Sequence, residues 1–117
     1  MPRIRAIMSA DKVNTMVVDF HNQMIMMRLV NSGTSYNSAK RNRFTQKVFD
    51  SAYAILAYAF SVKDIDLFNR IYAETKELVA GPYITPEMQT IRNDFYGKTS
   101  DFVAGIAVCL ANKSRVH

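Results

Sequence analysis

The chain has no tryptophan, one cysteine, three prolines and four glycines in 117 residues, and each shortage removes a class of architecture. Cys109 alone forms no internal disulfide, which excludes the stapled, loop-rich scaffolds of small secreted proteins and points to a reducing compartment. All-β sandwiches and barrels need a turn residue roughly every eight to twelve positions, more Gly and Pro than are present. Long apolar runs are missing as well. The longest uncharged apolar stretches, Ser51–Val62 and Phe102–Ala111, fall well short of the roughly 20 residues that span a bilayer. The basic start Met1–Arg5 is not followed by the apolar stretch and small-residue cleavage site of a secretory signal. No membrane association and a cytoplasmic location are expected.

Reactive groups are equally sparse. The two histidines, His21 and His117, lie far apart with a single cysteine, so no zinc-ligand spacing exists. Asp19 and His21 are two residues apart, which on a helix turns them away from each other. There is no glycine-rich phosphate loop, no GxSxG elbow and no HExxH. No catalytic, metal or cofactor residue is assigned, and a non-enzymatic protein is expected.

What is present is a composition of 49% hydrophobic and 21% charged residues, that of an ordinary folded domain. The length fits one domain, with an arm at 1–8, a loop at 31–38 and a tail at 113–117. Ser9 with Asp11 reads as a helix start, and Val13, Met16, Val17, Phe20, Met24 and Met27 recur at intervals of three and four, predicting a helix over 9–31. A second apolar row, Val18, Ile25 and Leu29, lies about 140° around the same helix. A helix apolar on two sides is either central or shared with another molecule. Four methionines fall here, and Met26 alone is out of phase with the core row.

The polar segment 31–38 interrupts the pattern. A second helix is predicted over 38–61 with Phe44, Val48, Ala52, Ile55, Leu56 and Ala59 inward. Asp64 caps a third over 65–80, with Leu67, Phe68, Ile71, Tyr72, Thr75, Leu78 and Val79 on one face and Asp66, Arg70 and Glu74 spaced for ion pairs on the other. Gly81 followed by Pro82 ends it. Thr85, Pro86 and Glu87 form the strongest start signal in the chain. From there Met88, Ile91, Phe95, Phe102, Ile106 and Cys109 keep one phase across Gly97, favouring one helix over 86–112; the alternative breaks it at Gly97 with Ser100 as a new cap. The expectation is an all-α bundle of four helices, five if Gly97 breaks the last, with the first or last helix central.

Charge carries the one functional signal. Residues 1–63 hold nine cations and three carboxylates, and the remainder six and seven. So one-sided a field attracts polyanions. Lys40, Arg41, Arg43 and Lys47 cluster at the start of the second helix, where cations oppose the macrodipole at about 0.3–1 kcal/mol each. Lys40, Arg43 and Lys47 share a stripe that can track a phosphate backbone. Arg3 and Arg5 add charge from the arm, and Tyr36 is placed to stack on a base. A helix-turn-helix reader between Leu78 and Phe95 is disfavoured, because Glu77 occupies a site that must be small and the connection is too long.

The expected function is therefore contact with a nucleic-acid backbone, without sequence reading, as a subunit of a larger nucleoprotein assembly. The alternative is a protein-interaction module: an inhibitor, an adaptor or a particle component, including the accessory proteins of phage and mobile elements. Its partner is a protein, acidic or apolar, and Val18, Ile25 and Leu29 are its interface or that of a homo-oligomer.

Overall fold

The computed structural model describes residues 10–32, 37–79 and 84–115. They form four helices, α1 (Ala10–Ser32), α2 (Ser38–Ser61), α3 (Ile65–Thr75) and α4 (Pro86–Arg115), and contain no strand among the described residues. The chain is an all-α bundle. Two of the predicted caps do what their residue types dictate. Asp64 Oδ1 accepts from the Leu67 amide at 3.1 Å, and Thr85 Oγ1 accepts from the Met88 amide at 3.0 Å. Helix α2 is capped one residue earlier than its predicted start, by Asn37 Oδ1 on the Lys40 amide at 2.8 Å. Ser9 and the Gly81-Pro82 pair lie outside the described residues.

Two boundaries differ from the sequence reading. α3 ends at Thr75, short of 80. The amides of Lys76, Glu77 and Leu78 bond three residues back at 3.2, 3.4 and 3.1 Å, tightening the chain into turns. Unwinding delivers the Leu78 carbonyl to Asn31 Nδ2 at 2.9 Å, with both residues buried. α4 continues through Gly97 and past Asn112 to Arg115, into the expected tail.

The central helix is α2, rather than the first or the last. It packs against each of the other three, and from Ser51 to Phe60 no residue is exposed. Ala52 and Ala59 are fully buried between the large side chains of Val48, Phe49, Ile55 and Leu56, and small residues let neighbouring backbones approach closely. α1 runs antiparallel to α2, with Val30 and Met27 beside Arg41 and Thr45. α4 runs in the same direction as α2, as the pairs Thr85–Asn42, Phe95–Phe49 and Phe102–Tyr53 show. Phe20, Met24, Met27, Phe68, Ile71, Met88, Phe95 and Ile106 complete the core from the surrounding helices.

The two glycines of α4 stand in opposite environments. A Cβ on Gly97 meets nothing within 4 Å, whereas one on Gly105 lands 2.5 Å from Cε1 and 2.7 Å from Cζ of Phe60. That ring is stacked on Phe102 at 5.0 Å, so it does not yield without losing the contact. Gly97→Ala is expected to stabilise by about 0.5–1 kcal/mol, the helix-interior cost of glycine. Gly105→Ala is expected to destabilise by about 1–2 kcal/mol, overpacking exceeding the helical gain. Urea unfolding of both variants checks this, and removing the ring with Phe60→Ala should return Gly105→Ala to a net gain relative to the Phe60→Ala parent.

Candidate nucleic-acid interface

The first three turns of α2 carry the cation cluster, and the fold divides it. Lys40, Arg43 and Lys47 are exposed, whereas Arg41 is buried at 4% exposure. Successive helical residues point about 100° apart, so Arg41 turns from the stripe toward α1, where its Nη1 donates to the Val30 carbonyl. Val30 is in the last turn of α1, where carbonyls lack helical partners and the dipole is negative, and α1 has no basic residue of its own there. A cation in that place satisfies both needs. Arg41 is therefore a clasp between helices, and its place in the predicted phosphate-binding set is corrected. Thr45, one turn on, is also buried and donates to the Arg41 carbonyl at 2.7 Å.

Phe44, expected in the core, is only half-buried. With Arg43, Gln46, Lys47 and Asp50 it lines a shallow groove of about 520 Å³. An aromatic ring beside cations is the pairing that single-stranded nucleic acids use, one for the base and the others for the backbone. Asp50 bounds the stripe and accepts from Gln46 Nε2 at 2.8 Å. Beyond it the α2–α4 groove carries both signs, Asp50 and Asp94 with Lys98. Ser51 and Tyr58, which share the stripe's phase, are half-buried and present less surface. Arg3, Arg5 and Tyr36 lie outside the described residues.

Elsewhere the structure assembles groups that spacing did not bring together. His21 Nε2 lies 2.9 and 3.1 Å from the two carboxylate oxygens of Glu74, linking α1 to α3. Glu74 thus turns to His21 instead of pairing along its own helix with Arg70. Arg28 approaches Glu77 at 3.7 Å, both well exposed, a pair contributing at most about 1 kcal/mol. On the α3–α4 side Tyr72, Lys76, Arg92, Asn93 and Tyr96 line a cleft of about 410 Å³. Burial, with Tyr96 beside it, raises the Tyr72 phenol above its ordinary 10.0. No sequence signal marked this cleft, because its residues lie on two helices. Cys109, in phase with the buried Met88, Phe95 and Ile106, is only half-buried itself.

No family model, curated protein or solved structure matches this chain. The site is therefore judged on its own geometry. Among the described residues no group of three or more His, Cys, Asp or Glu is arranged to hold a metal ion. No helix among them is long and apolar enough to cross a membrane.

Proposed function

We propose that this chain is a non-enzymatic protein that contacts a nucleic-acid backbone as part of a larger nucleoprotein assembly, using Lys40, Arg43 and Lys47. The observation that carries the reading is the exposed stripe of three cations at helical spacing, beside the half-buried ring of Phe44. Each cation set against a phosphate displaces condensed counterions, and this gain in ion entropy drives association without base recognition. Phe44 and Gln46 favour single strands, whose bases are free to stack on an aromatic face. Arg3, Arg5 and Tyr36 extend the contact from outside the described residues.

Binding should weaken steeply with salt. Replacing Lys40, Arg43 and Lys47 together by alanine should reduce the slope of log K against log[salt] by about three units on duplex DNA and slightly less on single strands. Because all three side chains are exposed and cations near the start of α2 oppose the helix dipole, the variant should keep its helical circular dichroism and unfold no earlier than the wild type. Failure to bind any single- or double-stranded DNA or RNA at low salt overturns the reading, as does a salt slope unchanged by the triple substitution.

A second reading is favoured by a separate observation, the exposure of Val18 at 58%, Ile25 at 54% and Leu29 at 58%. Large aliphatic side chains grouped in water mark a protein-facing surface. Under this reading the chain is an adaptor, inhibitor or particle component. It captures a protein in a salt-insensitive manner, with no loss when the cation stripe is removed.

A further inference from the structure

Lys76 at the end of α3 and Arg92 on α4 line one cleft, together with Tyr72, Asn93 and Tyr96. Neither cation is in an ion pair among the described residues. The carboxylates beside them in sequence are drawn elsewhere. Glu74 holds His21 on α1 at 2.9 Å, Glu77 approaches Arg28 on α1, and Asp94 lines the α2–α4 groove instead. Two cations thus face one cleft that no carboxylate lines, and a cleft lined by one sign of charge concentrates the opposite sign.

The hydrogen bonds already made decide what else the cleft offers. Thr75 Oγ1 donates its one proton to the Tyr72 carbonyl at 2.6 Å, so in its 3.2 Å contact with Tyr96 the phenol is the donor. Tyr96 is held in place with its proton already given. The Tyr72 hydroxyl has no hydrogen-bond partner among the described residues and keeps its proton to give. Its ring is engaged within the protein: Lys76 Nζ lies 5.8 Å from its centroid, Tyr96 meets it edge-on at 5.7 Å and Phe68 stacks on it at 5.9 Å. The Lys76 ammonium, the Arg92 guanidinium, the Asn93 amide and the Tyr72 hydroxyl remain as donors.

We propose that this cleft binds a phosphate group, through Lys76, Arg92, Asn93 and Tyr72, without recognising what carries it. The donors come from two walls, α3 with its C-terminal turn and α4. A tetrahedral phosphate turns oxygens toward both walls at once, whereas the two oxygens of a carboxylate lie on one side of its carbon. The planar fork of Arg92 and the mobile ammonium of Lys76 are the two side chains that proteins set against phosphate oxygens. Because the Tyr72 ring is engaged, the cleft favours the phosphate over any base attached to it. The group is either free phosphate or a phosphodiester of a strand. In the second case the cleft adds a contact to Lys40, Arg43 and Lys47, and that consequence alone rests on the proposed nucleic-acid reading.

The test titrates inorganic phosphate, and separately acetate at matched ionic strength, into the isotope-labelled full chain while NMR follows the backbone amides. Phosphate should give saturable shifts centred on residues 72–76 and 92–96, and acetate should not. Lys76→Gln combined with Arg92→Gln should weaken phosphate binding by about tenfold or more, the worth of charge-assisted hydrogen bonds. Asn93→Asp, at an exposed position, should weaken it too by placing a carboxylate in the cleft, with an unchanged circular dichroism spectrum. Shifts that never saturate, that acetate reproduces or that persist in both variants overturn the proposal. An oligothymidylate without terminal phosphate separates the two sources. If a strand occupies the cleft, it moves the same amides even in the chain lacking the three stripe cations; if free phosphate alone does, those amides respond only to the inorganic ion. Both results support the site. Failure of every strand to bind at low salt removes the nucleic-acid reading and leaves the phosphate titration to decide the cleft.

Discussion

Arg41→Ala is expected to lower the free energy of unfolding by about 2–4 kcal/mol, while alanine at Lys40, Arg43 or Lys47 leaves it unchanged or raises it by up to about 1 kcal/mol. The guanidinium is buried and donates to the Val30 carbonyl at the end of α1. A hydrogen bond from a charged donor contributes about 1.5–3 kcal/mol, and a cation at a partly buried helix C-terminus adds about 0.3–2 kcal/mol. Removing it leaves a carbonyl that water does not reach. Methionine at the same position restores much of the apolar volume without the donor, so the difference between the alanine and methionine variants separates packing from hydrogen bonding. Urea unfolding reads both. An alanine variant as stable as wild type but deficient in nucleic-acid binding would return Arg41 to the phosphate-contacting set.

The largest loss of stability is expected where α2 meets α4. Phe49 and Phe95 are 1% and 2% exposed, with ring centroids 4.9 Å apart and planes at 49°. Either ring replaced by alanine leaves a cavity in a core that cannot fully collapse, at a cost of about 3–5 kcal/mol. Against a typical total of about 5–15 kcal/mol, such a loss brings a small bundle close to unfolding at physiological temperature. The tilted pair also contributes a direct term, so a double-mutant cycle should return about 0.5–1.5 kcal/mol of coupling. Thermal melts of the two single variants and the double variant measure both quantities. A loss below about 1.5 kcal/mol for either single variant would contradict this packing of α4 on α2.

Where the helices lie was legible because the causes are local. Asp64 and Thr85 cap the helices they were expected to cap, and the phase running from Met88 to Ile106 carries α4 across Gly97, because a Cβ-free residue in open space weakens a helix without breaking it. Five of the six inward residues expected of α2 are buried; Phe44 is only half-buried, and Arg41, Thr45 and Phe49 are buried without having been expected there. Periodicity decides which residues share a face, and the local sequence decides where a helix begins.

What a face meets is not a local property. The uncharged runs Ser51–Val62 and Phe102–Ala111 look alike, yet the first is exposed only at its end, Ser61 and Val62, whereas the second leaves Val103, Val108 and Leu110 in water along its length. The two apolar rows of α1 posed the same question, and the structure buries one and exposes the other. Lys40, Arg41 and Arg43 are three cations within four residues, and only the arrival of the end of α1 beside Arg41 makes one a clasp and leaves two on the surface. The sequence by itself determined the helices and the faces they carry. The tertiary structure decided which face has a neighbour, because burial depends on the mutual placement of all four helices and no single helix encodes the position of the others.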